Sequence, residues 1–135
     1  IDISFNYRHL TWSDPKDLSD PKDCFTGLEQ LSIPLVYDVH HHRCNPDGLT
    51  ITEATEACLE EWRKVGREPL LHISSPKYGW QGKPRPHADF IALDDFPAEW
   101  LRLDATIDIE AKAKELAVLK LQQELGLQPW RESKR

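Results

Sequence analysis

Short apolar segments alternate along this chain with stretches of helical periodicity, and this alternation limits the possible folds more than any other feature. We expect strands at 1–5, 33–39, 69–73 and 105–110. The segment 33–39 is apolar on both faces until Asp38, which is typical of a buried strand. Strands alternating with helices predict parallel βα units and an α/β fold. The predicted helices span 50–65, 97–103 and 111–125, and an earlier one begins at Asp20 and Pro21.

Several predicted helices carry clear signals at their ends. Thr50 and Glu53 have the spacing of a capping box, so we expect a helix to begin there. Gly66 and Gly126 follow the last apolar positions of two predicted helices, where a left-handed glycine often ends a helix. A loop rich in Pro, Gly, Lys and Ser is predicted from 74 to 86.

Metal-ligating residue types gather at the predicted carboxyl ends of the strands. In parallel βα proteins this edge collects the functional groups, and carboxylates with imidazoles suit a divalent transition metal. The sequence therefore predicts a metal site there. The residues concerned are Asp38, followed by His40, His41 and His42, then His72, His87 and Glu110.

Each candidate also has a structural interpretation. His72 could be a hydrogen-bonded core histidine, and Glu110 could cap a helix or pair with Lys112 or Lys114. Three adjacent histidines could be a solvated loop, and adjacent side chains cannot all face one metal. Asp38 ends a strand and His41 follows three residues later in the predicted loop, so these two could serve neighbouring ions.

Composition limits the partners. The net charge of −6 argues against a general nucleic-acid binder, unless many acids are metal ligands or lie far from the binding face. The three cysteines form no C-x-x-C pair, which favours reduced thiols in a cytoplasmic protein. We find no apolar run of membrane-spanning length and no secretory signal, so we expect no membrane partner.

Four motifs follow one another along the chain: Val36–His42 with Asn45-Pro46, Leu71–Ser75, Pro86–Asp89 and Ile109–Glu115. Over about residues 33–127, they resemble in this order the carboxyl-terminal motifs of the UV damage endonucleases. The resemblance implies part of a TIM barrel related to endonuclease IV. It further implies an enzyme that nicks damaged double-stranded DNA 5′ of UV photoproducts with a cluster of divalent ions, typically manganese, with zinc or magnesium as alternatives.

The same resemblance implies roles for individual residues. Asp38, His72 and Glu110 would bind one ion, and His41 and His87 a second. The ions would polarise the scissile phosphate, activate the attacking water and stabilise the leaving oxygen. Of the remaining residues, His42 or His40 would orient a ligand through a hydrogen bond, and Lys112 would contact a phosphate.

Two positions depart from the family pattern. The family usually has an upstream strand whose Glu bridges two ions, and the corresponding stretch here has none. Either the alignment slips, or Ser4 replaces that carboxylate, or the segment before Asp20 comes from elsewhere in the barrel. Leu70 stands where the family often carries a lysine, so the role of that lysine is absent.

The length of 135 residues predicts only part of a barrel, since a (β/α)8 barrel typically needs about 250. We expect one partial TIM-barrel domain over 1–135, with a strand and loop at 1–20, βα units at 21–127 and a tail at 128–135. The partner would be the missing amino-terminal half, as the rest of a longer protein or as a separate chain, or a second copy.

Two other functions remain open from the sequence. One is another metal-dependent TIM-barrel enzyme, such as an abasic-site endonuclease or a sugar isomerase. The other is a non-catalytic half-barrel that assembles with a partner chain and keeps its metal residues as remnants, which the changes at Ser4 and Leu70 would favour.

Overall fold

Four parallel strands form one sheet, in the spatial order Asp2–Ser4, Thr106–Ile109, Leu70–Ile73 and Tyr37–Asp38. The computed structural model describes residues 2–4 and 34–128, and of 2–4 the backbone only. The helix predicted at Asp20 lies outside the described residues. The strands are β1 (Asp2–Ser4), β2 (Tyr37–Asp38), β3 (Leu70–Ile73) and β4 (Thr106–Ile109). The helices are α1 (Val39–Cys44), α2 (Ile51–Val65) and α3 (Glu115–Glu124), with 3-10 helices at Leu93–Asp95 and Ala98–Arg102.

The strand register separates an apolar face of the sheet from a polar one. Leu71 pairs with Ile107, and both side chains are fully buried. One position further along, Asp38, His72 and Asp108 lie side by side on β2, β3 and β4. Because successive side chains of a strand point to opposite faces, this row lies on the face opposite Leu71 and Ile107.

The apolar face packs against the helices in a single hydrophobic cluster. Trp100, from the second 3-10 helix, is fully buried, and its indole Nε1 donates to Thr55 Oγ1 of α2 at 3.1 Å. Burying an apolar side chain such as Leu71 contributes about 1.5–3 kcal/mol to the free energy of unfolding. The cluster joins the sheet to α2 and α3 through Ala54, Cys58, Trp62, Leu71, Ile73, Trp100, Ile107, Ile109, Ala117 and Leu121.

The predicted ends of two helices are confirmed. Thr50 Oγ1 accepts from the Glu53 amide at 3.1 Å, and Glu53 accepts from the Thr50 amide at 2.8 Å, so the capping box is complete. Gly66 has φ 65° and Gly126 has φ 69°, the left-handed conformation that ends a helix. The longest helix in the described ranges, α2, has 15 residues, and none of the described helices is long and apolar enough to cross a membrane.

Strand β2 is shorter than predicted, because its first residues find other hydrogen-bond partners. Pro34 has no amide hydrogen to give to a ladder. The Leu35 carbonyl accepts from Cys58 Sγ and from Trp62 Nε1, each at 2.8 Å. The ladder with β3 therefore starts only at Tyr37.

The histidine tract and the 111–114 segment also differ from the prediction. The three histidines lie in the short helix α1, not in a loop, because Asp38 caps it by accepting from the His41 amide at 2.9 Å. Helix α3 begins at Glu115, four residues later than predicted. The amides of Lys112 and Ala113 donate to the carbonyls of Ala88 and Asp89, so this segment is a turn held against the preceding loop.

Candidate metal centre

Three of the predicted ligands meet at the carboxyl edge of the sheet. One donor atom each from Asp38, His72 and Glu110 lies within 4.8 Å of the other two. The residues come from three neighbouring parallel strands: Asp38 ends β2, His72 lies in β3, and Glu110 directly follows β4. The Glu110 amide donates to the Ile73 carbonyl at 2.9 Å, which holds its backbone against β3.

The His72 ring lies between two carboxylates. Its Nδ1 is 3.1 Å from Glu110 Oε1, and its Nε2 is 3.3 Å from Asp108 Oδ2. Burial alone would lower the pKa of His72, but hydrogen bonds to Asp108 and Glu110 outweigh it and raise the pKa to about 10. Without a metal, His72 is therefore a cation at neutral pH. Burial would raise the pKa of Glu110, but the hydrogen bond with His72 and the nearby His72 and His87 rings together lower it.

Asp38 joins this group to His41. Its Oδ1 accepts from the His41 amide at 2.9 Å, and its Oδ2 lies 2.9 Å from His41 Nδ1. Burial would raise the pKa of Asp38, but these bonds lower it to about 2. The hydrogen bond with Asp38 also raises the pKa of His41, whose side chain is 62% exposed. Asp38 is thus a carboxylate over the whole neutral range.

His87 reaches the same edge from the loop after β3. Its Nδ1 is 3.8 Å from Glu110 Oε2, and its Nε2 is 3.4 Å from Ser74 Oγ. Partial burial lowers the pKa of His87, so its ring is neutral and can act as a ligand. The two oxygens of Glu110 therefore face different histidines, Oε1 toward His72 and Oε2 toward His87.

The donor set fits a divalent cation. Carboxylate oxygens bind magnesium, manganese and zinc, whereas an imidazole nitrogen favours the transition metals. Two carboxylates and one imidazole therefore suit manganese or zinc better than magnesium. Glu110 Oε2 is buried and has no hydrogen-bond partner among residues 34–128. A buried carboxylate oxygen without a donor is costly, and a cation would satisfy it.

The three histidines of α1 differ in burial and in hydrogen-bond partners. His40 is fully buried, and neither of its ring nitrogens has a hydrogen-bond partner within the described part of the chain. The centroid of its ring lies 5.2 Å from that of the His87 ring and 5.3 Å from that of the Trp80 ring. His42 is bonded on both sides, with Nδ1 2.6 Å from the Tyr37 hydroxyl and Nε2 2.9 Å from Asp47 Oδ1. The partners of His42 are therefore not among the predicted ligands.

Two positions illustrate what the sequence patterns could and could not locate. Lys112 lies exposed on the turn before α3, and its backbone is tied to Ala88, next to His87. Asp108 was not predicted as a site residue, although it is buried against His72. Strand alternation places Asp108 on the same face of the sheet as Glu110, but its contact with His72 depends on how the His72 ring is turned.

The comparisons with known proteins decide the family. The model of the family described as UV-endonuclease UvdE matches residues 16–134. The chain belongs to the UvdE family. It is 36% identical over 115 residues to a UV DNA damage endonuclease of Bacillus velezensis, covering 78% of this chain and 34% of that protein. The corresponding protein of Bacillus anthracis is 36% identical over 118 residues, covering 80% of this chain and 37% of the relative.

A solved structure agrees with this assignment. The crystal structure of SacUVDE superposes on this UvdE chain with a TM-score of 0.66 and 26% identity, over 81% of this chain and 37% of that one. The predicted fold class, an α/β part of a TIM barrel with parallel strands, is confirmed. The chain spans about a third of the length of the curated relatives it matches.

Proposed function

We propose that this UvdE chain supplies the carboxyl-terminal part of a metal-dependent DNA repair endonuclease, which nicks damaged DNA 5′ of UV photoproducts and related lesions. One observation carries the proposal: in a member of this family, Asp38, His72 and Glu110 bring their donor atoms within 4.8 Å of one another. The amino-terminal part of the barrel would complete the centre.

Each residue has a defined task in this proposal. Asp38, His72 and Glu110 would hold one divalent ion, most suitably manganese, and His41 with His87 would hold a second. Divalent ions, when bound, polarise a phosphodiester, lower the pKa of a water and stabilise the leaving oxygen. Asp108 would keep the His72 ring oriented through its Nε2, as carboxylates commonly do for metal-binding histidines.

The activity test uses UV-irradiated supercoiled plasmid and Mn²⁺. The chain is assayed alone and mixed with the amino-terminal part of the Bacillus velezensis relative, and we expect single-strand nicking in the mixture. Glu110→Gln, which keeps the shape and removes the charge of a proposed ligand, should abolish nicking. Asp104→Asn is the matched control, since this acid is exposed on the segment before β4. An absence of nicking in both samples contradicts the endonuclease proposal.

The non-catalytic half-barrel remains the second candidate. Leu70 supports it, because it lies two residues before His72 on the same face of β3, where the family often carries a lysine. An apolar side chain cannot take the role of that lysine. Metal analysis separates the two candidates. Less than about half an equivalent of manganese or zinc per chain, with the amino-terminal part present, would favour the half-barrel whose metal residues are remnants.

A further inference from the structure

The loop at 77–85 has a charge opposite to that of the whole chain. Between residues 74 and 88 there are three permanent cations, Lys77, Lys83 and Arg85, and no Asp or Glu. Helix α2, by contrast, contains four glutamates and two basic residues. The net charge of −6 therefore does not describe this loop.

The 77–85 loop stands at the same edge of the sheet as the candidate centre. It leaves the carboxyl end of β3, and its base is closed by the Lys77 amide, which donates to the Pro86 carbonyl at 2.7 Å. The Ala88 amide closes it further by donating to the Ser75 carbonyl at 2.8 Å. His87 lies at this base, so the loop is joined directly to a proposed metal ligand.

Trp80 fixes the loop over helix α1. Its Nε1 donates to Asp95 Oδ1 at 2.8 Å, and its ring packs against His40. The Arg43 guanidinium lies 5.8 Å from the ring centroid and donates to the Asp95 carbonyl at 2.7 Å. The loop surface is therefore preorganised.

An exposed aromatic side chain is interleaved with the cations. Tyr78 is 60% exposed, and the Lys77 ammonium lies 5.3 Å from its ring. Gly82 allows the loop to fold tightly behind it, since a Cβ at that position would lie 2.8 Å from the Tyr78 carbonyl oxygen. Basic groups with an accessible ring are the combination that binds a phosphate backbone and stacks on a base.

We propose that the 77–85 loop is a DNA-contacting surface of this chain, which holds the strand beside the metal centre. Lys83 and Arg85, both exposed, contact backbone phosphates, and Tyr78 stacks on a base that the lesion has left poorly stacked. The inference rests on the proposed function for the identity of the substrate. The local charge of the loop also weakens the objection from net charge, because no Asp or Glu lies between residues 74 and 88.

The binding test is done without metal, so that it is independent of catalysis. Fluorescence anisotropy measures the affinity of the chain for a labelled duplex in EDTA over a range of KCl concentrations. The double variant Lys83→Ala/Arg85→Ala should bind at least about tenfold more weakly, and the slope of log K against log salt should fall by about 2, roughly one for each lost phosphate contact.

The matched control removes two positive charges elsewhere. Lys64→Ala/Arg67→Ala changes the carboxyl end of α2, which leads to the opposite edge of the sheet, and should leave both the affinity and the slope unchanged. Equal losses in the two double variants would overturn the proposal, since they would reflect net charge alone. Failure of the unaltered chain to bind the duplex, or an unchanged affinity in the loop variant, would overturn it as well.

Tyr78→Ala tests the stacking contact. We expect it to reduce the preference for a UV-irradiated duplex over an intact one by about fivefold or more, without changing the salt slope. An unchanged preference would refute the role of the ring. If DNA binding depends on the 77–85 loop but no sample nicks the plasmid, the endonuclease proposal is refuted and the DNA-contacting surface stands. If the plasmid is nicked but DNA binding does not depend on the loop, only the proposed surface is refuted.

Discussion

Metal binding by this chain should depend steeply on pH, because His72 must give up a proton before it can act as a ligand. Its carboxylate partners raise its pKa to about 10, so the ring is protonated throughout the neutral range. The affinity for Mn²⁺ should therefore rise about tenfold for each pH unit below that value, and about a hundredfold between pH 6.5 and 8.5. The affinity increases because the proton competes with Mn²⁺ for the His72 ring, and the protonated fraction falls as the pH rises.

The assay is a titration of the metal-free chain with Mn²⁺ under argon, in which electron paramagnetic resonance measures the free ion. An affinity that stays within about threefold over this range would refute the reasoning. Asp108→Asn removes one of the two carboxylates that hold the proton, so the dependence should become shallower between about pH 8 and 9. Asp104→Asn should behave like the unaltered chain, because this acid lies at the other end of β4.

Three further predictions concern stability. The pKa of His72 is raised in the folded state, so protonated His72 stabilises the metal-free chain. This stabilisation is fully present below about pH 6.5 and is lost as the pH rises through about 10. Melting temperatures measured over a series of pH values can detect the loss. Thr50→Ala removes the side-chain acceptor of the capping box and should cost about 1 kcal/mol in urea unfolding. His42→Ala removes the His42 Nδ1 partner of the buried Tyr37 hydroxyl and should cost about 2 kcal/mol or more in the free energy of unfolding. A cost below about 0.5 kcal/mol would contradict the importance of this hydrogen bond.

The sequence predicted the parallel α/β arrangement because its signals are local. The capping box at Thr50 and the glycine at 66 act over one helical turn, and both were located correctly. The start of α3 was not, because the amides before it bond to carbonyls of a distant loop. The length of β2 was misjudged for a similar reason, since Cys58 and Trp62 take the Leu35 carbonyl across more than twenty residues.

The candidate site shows the same division. Asp38, His72 and Glu110 could be selected because each lies at a predicted strand end, and the register then brings them together. Asp108 and Trp80 could not be selected in this way. The importance of Asp108 depends on the direction in which the His72 ring turns, and that of Trp80 depends on where a long loop returns.

The histidine tract has a consequence for any substitution series across it. In an α-helix each residue is rotated by about 100° from the one before, so consecutive side chains leave the helix in different directions. His40 lies beneath the Trp80 indole, His41 reaches solvent beside Asp38, and His42 is clamped by Tyr37 and Asp47. The three identical residues are therefore not interchangeable. A histidine moved by one position along α1 would not make the contacts of the histidine that it replaces, although the composition of the helix would be unchanged.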